Sequence, residues 1–165
     1  MSSKLPVILG SASSSRKLLL QTMGIEPYGI VTADINEDPM LDEPPSALAK
    51  RLAEAKALAI KMPESWASKE YFLITADTVT AVGRRIIDKA KNDEDVAKAL
   101  ELQSGRNVRV YTGVTVQRRR GNHVLKSSTR ICVTSLKFKR LSALEKQEYL
   151  ASKQGVGKGG ALAIE

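Results

Sequence analysis

Two stretches of this chain, NVRVYTGVTVQ from residue 107 and VLKSSTRICVTSLKFK from residue 124, alternate in polarity over long spans and are joined by RRRGNH. A repeat of two residues belongs to a strand that turns one face inward, and no helix presents it. A polar, glycine-containing link between two such runs predicts an antiparallel hairpin. Whatever this chain folds into must hold that hairpin in a sheet.

The remaining strands and their cover can be read around it. PVILG, residues 6–10, is too short for a helix and reads as a strand buried on both faces. A helix is predicted over residues 14–23, with Leu18, Leu19 and Met23 toward the core and Gly24 as its stop. YGIVTADI reads as a second strand, and the acidic, proline-punctuated NEDPMLDEPPS as a loop. Ser46 is expected to cap a long helix to about residue 61, with Leu48, Leu52, Ala55, Leu58 and Ala59 along one side. YFLITADTVTAV is strand-like up to Gly83, and a third helix over 93–102 is capped by Asn92. The capping box SALE, residues 142–145, opens a last helix to about residue 152, after which GALAIE reads as the start of another strand. Hairpins and short crossovers together predict a single α/β domain with a mixed sheet.

Composition narrows the partners. The chain has 165 residues, enough for one domain and short for two. Its formal net charge of +8 favours anionic partners, while 4% aromatics leave few rings to stack on bases. One cysteine, Cys132, excludes an internal disulfide and any multi-cysteine metal site, and its alternating surroundings predict a buried thiol. His123 sits in the hairpin link, a poor place for a Ser-His pair. No apolar run reaches the roughly 18 residues that span a bilayer. The N-terminal apolar run is too short for a secretory signal, so the cytoplasm is expected.

Three places can carry chemistry. In LGSASSSRKLLL, a strand leaves through small residues into a helix N-terminus bearing Arg16 and Lys17, where cations oppose the helix dipole. Either Ser11, Ser13 and Arg16 receive a phosphate there, or the serines merely cap the helix. In ITADTVTAV, Asp77 cannot be far from the core, and a carboxylate there needs a cation or N–H partners to stay charged. Glu37 can bring a second carboxylate, and such a pair suits Mg²⁺ or Mn²⁺. Lys56, on the apolar-leaning side of its helix, and Lys89, after RRIID, add enough positive charge with Arg16 to hold a triphosphate.

In this order, from LGSASSSRKLLLQTMG through ADINEDP, RLAEAKA, TADTV, IDKA and SGRNVRVYTGV to GKGGALAIE, the chain resembles the Maf family of nucleoside triphosphate pyrophosphatases, which is also linked to septum formation. The resemblance implies one Maf/ITPase-like domain over residues 1–165: an elongated mixed sheet flanked by helices, with a cleft between two lobes. It also implies a homodimer, and a family pattern that runs some tens of residues beyond this chain.

It assigns Asp77 as the catalytic aspartate, with Glu37, Lys56 and Lys89 as its catalytic companions and Glu37 with Asp77 on the metal. Ser11, Ser13, Arg16, Thr78, Thr112 and Glu165 would contact substrate, with Ser15, Thr78 and Glu165 setting specificity. The expected reaction yields a nucleoside monophosphate and pyrophosphate. Thr78 matches members acting on dTTP and UTP. Glu165 accepts hydrogen bonds only and suits a guanine edge, so a modified or non-standard nucleotide such as 7-methyl-GTP stands beside UTP. A nucleic-acid-binding module using RRRGNH, or an inactive truncated homologue, are the alternatives. Arg119, in the hairpin link, is expected to be indifferent to triphosphate binding and turnover.

Overall fold

The computed structural model describes residues 4–163. In chain order its elements are β1 (Val7–Leu9), α1 (Ser14–Thr22), β2 (Gly29–Ile30), α2 (Pro45–Ala59), a 3-10 turn (Glu64–Trp66), β3 (Glu70–Val82), β4 (Arg85–Ile87), α3 (Asp93–Gln103), β5 (Asn107–Arg120), β6 (His123–Lys137) and α4 (Ala143–Ala151). The sheet runs β2-β1-β3-β5-β6, with β4 paired to β3. β1 is parallel to both neighbours, Leu9 lying opposite Ile30 and Ile74, whereas β4 is antiparallel to β3 with Thr80 opposite Ile87. This is the expected α/β fold with a mixed sheet. The long hairpin forms as its alternation predicts, turning through Gly121 and Asn122. Gly121 has φ 55°, which suits the first position of a two-residue hairpin turn.

The chain divides into two compact units: Met1–Leu41 with Ala49–Asp77 and Gly113–Ile131, and Asp42–Leu48 with Thr78–Thr112 and Cys132–Glu165. In the first, Ile8, Ala57, Ile60, Met62, Tyr71 and Leu73 form the core, and Trp66 packs edge-on to both Tyr28 and Tyr71. Each large aliphatic side chain buried here contributes about 2 kcal/mol. In the second, Ala90, Val96, Ala99, Leu100 and Ala161 cluster beneath α3, whose Asn92 cap accepts from Asp95 N at 2.9 Å. The Ser142–Glu145 capping box is present at the start of α4.

Several expectations are corrected. α1 turns Leu20 inward and leaves Leu18, Leu19 and Met23 at 61%, 62% and 71% exposure. The second strand shrinks to two residues, because β1 offers only three to pair with. α2 starts at Pro45, whose fixed φ and missing N–H suit a first helical turn, so Ser46 is inside the helix. Its sheet-facing row includes Ala49, Ala53 and Ala57, each fully buried, while Leu58 is exposed and Ala59 with it. Cys132 is exposed, since β6 is the edge of the sheet and its outer face is uncovered. Residues 160–163 form no strand: Gly160 and Ala161 adopt φ of 65° and 55°, which bends the chain into a turn. Ile164 and Glu165 lie outside the described residues.

Candidate active site

A short turn of small residues, 10–13, leads from β1 into α1. Ser13 caps the helix, its Oγ accepting from Arg16 N at 3.4 Å. Ser11 Oγ accepts from Ser13 N at 3.2 Å and from Arg16 Nη1 at 3.0 Å. Capping and cation retention are thus both present: the serines close the turn, and Arg16 folds back over it instead of running out to solvent. Ser15 is half-buried in the first turn of the same helix.

Lys56 leaves α2 toward β3. Its side chain is only 12% exposed, and Nζ stands 2.6 Å from Asp77 Oδ1 and 2.8 Å from Glu37 Oε1. The first of these is also a hydrogen bond that the ammonium donates. Asp77, on the buried side of β3, is 7% exposed, whereas the Glu37 carboxylate reaches in from its loop and stays largely exposed. Burial raises the Asp77 pKa above the usual carboxylate value; the Lys56 hydrogen bond and charge oppose this, Glu37 adds to it, and Arg16 opposes it. Arg16 in turn is lowered by burial, with Asp77 and then Glu37 pulling it back up. Two cations and two carboxylates therefore share one neighbourhood in the first unit. Burial works to raise the basicity of such a carboxylate, while its ammonium partner works to lower it.

The other expected residues belong to the second unit. Thr78 is exposed, and its hydroxyl lies 3.3 Å from that of Thr112. Lys89 is exposed at its side chain, and its backbone forms a bridge with Gly159. Around that bridge Gly157 N donates to Ala90 O at 2.8 Å and Gly160 N to Asp88 O at 3.3 Å, so the DKA segment is clasped by the GKGG segment. Glu165 lies outside the described residues. No group of three or more His, Cys, Asp or Glu side chains arranged to hold a metal occurs among the described residues.

The Maf-like protein family model matches residues 6–165. This chain belongs to the Maf-like family. It is 40% identical to a dTTP/UTP pyrophosphatase of Chelativorans sp. (strain BNC1), the match covering 100% of this chain and 78% of that protein. It is 43% identical to a nucleoside triphosphate pyrophosphatase of Neorickettsia sennetsu, over 96% of this chain and 72% of that protein. Among solved structures, a HAM1 protein from Coxiella burnetii shares the fold with a TM-score of 0.54 at 14% identity, over 98% of this chain and 88% of that one.

In this Maf-like chain the hairpin arginines behave unlike a basic patch. Arg118 and Arg120 both pair with Glu70, whose pKa their hydrogen bonds lower. Arg119 is 1% exposed and belongs to β5, which corrects its placement in an exposed hairpin link. Thr75 and Gly113 were also outside the expected site, yet both meet α2: Thr75 Oγ1 donates to Ala53 O at 2.7 Å, and Gly113 approaches Ala49 O so closely that a Cβ would stand at 2.3 Å. The signal that could have found them is the run of small residues in α2, which lets backbone come close.

Proposed function

We propose that this chain hydrolyses a nucleoside triphosphate between the α and β phosphates, releasing the monophosphate and pyrophosphate. The observation that carries the reading is the Lys56 ammonium held by both Asp77 and Glu37, in a chain 40% identical to a dTTP/UTP pyrophosphatase. Asp77 orients the attacking water and takes its proton, work suited to a carboxylate whose proton affinity burial raises. Arg16 and Lys56 meet the negative charge that gathers on the pyrophosphate leaving group. Ser11 and Ser13, at the start of α1, add donors for a phosphate. On the family resemblance, Lys89 is a further cation for the phosphates and Thr112 a substrate contact.

Glu37 and Asp77 would hold Mg²⁺ or Mn²⁺. Two hard carboxylates already converging on one cation fit such an ion, which leaves its other positions to water and phosphate oxygens. When bound, it neutralises the phosphates and polarises the α-phosphorus.

UTP and dTTP are the favoured substrates: Thr78 matches members that act on them, and the Chelativorans relative is named for them. Ser15 and Glu165 are the other specificity positions, and Glu165 keeps 7-methyl-GTP as the second candidate. The exposed Leu18 and Leu19 of α1, with Met23 just after it, supply an apolar face that a second copy would cover in a homodimer. A nucleotide substrate is the support for a cytoplasmic location; separately, no described helix is long and apolar enough to cross a membrane. With Arg119 buried and its neighbours held by Glu70, the nucleic-acid reading loses the patch it rested on.

The test is pyrophosphate release from UTP, dTTP, 7-methyl-GTP and ATP with Mg²⁺ or Mn²⁺. UTP and dTTP should be turned over fastest. Absence of release from every triphosphate would remove the reading, and a clear preference for 7-methyl-GTP would reassign the base.

A further inference from the structure

A guanidinium with 1% exposure and no carboxylate partner among the described residues needs an account, because an uncompensated buried charge is costly. Arg119 spends its donors on two kinds of oxygen. Nε and Nη2 both donate to Gln117 Oε1, at 2.8 Å and 2.5 Å. Nη1 donates to Ile60 O at 2.9 Å, and Nη2 also donates to Ala57 O. Those carbonyls belong to the last turn of α2 and the residue after it, where intrahelical donors run out and the helix dipole is negative. The planar fork thus closes the end of α2 with charge of the right sign.

The same hairpin grips the chain just beyond. Asn122 Oδ1 accepts from Met62 N at 2.8 Å, and Asn122 Nδ2 donates to Met62 O at 3.0 Å. Lys56 begins the turn being closed: its own carbonyl accepts from Ile60 N at 3.3 Å. The ammonium that meets Asp77 and Glu37 is therefore aimed by a helical turn whose far side is fixed by Arg119.

We propose that Arg119 is a positioning residue for Lys56, acting through the last turn of α2. This rests on the reading of Lys56 as part of the reaction site. Arg119→Lys keeps the charge but loses the planar fork, and its three donors cannot reproduce the four hydrogen bonds that Arg119 makes. Misplacement on the ångström scale at a reacting centre costs about ten- to hundredfold in rate.

The experiment is a double-mutant cycle of Arg119→Lys and Lys56→Ala, reading kcat/KM for UTP hydrolysis and the urea midpoint of each protein. Val96→Ala, a core change in the second unit, serves as a destabilised control that should keep its activity. Arg119→Lys alone should lower kcat/KM about tenfold or more. In the Lys56→Ala background it should lower kcat/KM no further, while its effect on the midpoint persists. Equal rate losses in both backgrounds would overturn the proposal, leaving Arg119 a structural residue only. A Lys56→Ala protein as active as the parent would instead strike the reading of the site itself. Should Arg119→Lys fail to fold, the same cycle is run with Gln117→Met, which removes the acceptor that orients the fork, and the same two outcomes decide.

Discussion

Replacing Gly113 with alanine would set a methyl group 2.3 Å from Ala49 O, 2.7 Å from Ala49 C and 3.1 Å from Lys50 N. All three atoms are backbone, so no side chain can swing away. Ordinary contact begins near 3.4 Å, so β5 and α2 must part by about 1 Å here. Gly113 has no left-handed φ, and contact alone sets the cost. Overpacking a close-packed interior costs roughly 1–3 kcal/mol, and two backbones in opposition argue for the upper end. With a urea slope of about 2 kcal/mol per molar, a loss of about 3 kcal/mol lowers the midpoint by about 1.5 M. Lys56 lies two turns farther along the same helix, about 10 Å away, so the displaced α2 should also lower kcat/KM. Urea unfolding followed by circular dichroism, with pyrophosphate release on the same sample, measures both. An alanine variant with the parental midpoint and the parental kcat/KM would refute the close approach and the coupling of α2 to the site.

Asp77→Asn should lower kcat by at least about a hundredfold, the usual scale for losing a general base, and a folded variant with normal pyrophosphate release would remove Asp77 from the chemistry. Because burial raises the folded-state pKa of Asp77, its ionised form weighs against folding, increasingly as pH rises from the unfolded value toward the folded one; the asparagine protein should therefore melt no lower than the parent at neutral pH. Glu145 runs the other way: the Lys139 hydrogen bond, then the Ser142 backbone and side chain, lower it from 4.5 to about 2. Its contribution is complete above the unfolded pKa and is lost as pH falls through the folded one, so the difference in thermal midpoint between parent and Glu145→Gln should be flat above pH 4.5 and shrink toward pH 2.

What the sequence made legible was local. The Ser142–Glu145 capping box and the Asn92 cap need only residues three apart, and both stand where they were read. Lys56 and Asp77 were legible as misfits, a cation on the inner side of a helix and a carboxylate inside an apolar strand, and burial brings them together. Glu37 was less so, because a glutamate in an acidic loop looks like any solvated one until Lys56 draws it in. In α1, three consecutive leucines satisfy the helical period whichever turns inward, and the choice of Leu20 is made by packing.

β5 forms where its alternation places it, but which face it buries is not written in that alternation. Its valines suggest one inner face and its polar residues one outer face, yet Thr115, Gln117 and Arg119 are buried while Val116 is 36% exposed. Polar side chains can face inward only where acceptors or donors await them. Thr115 meets Thr129, and Arg119 meets the carbonyls of Ala57 and Ile60. Those carbonyls are carried by every residue type, so nothing in the letters marks the end of α2 as the place a guanidinium belongs. A buried arginine of this kind becomes readable only when the helix end that receives it has been placed.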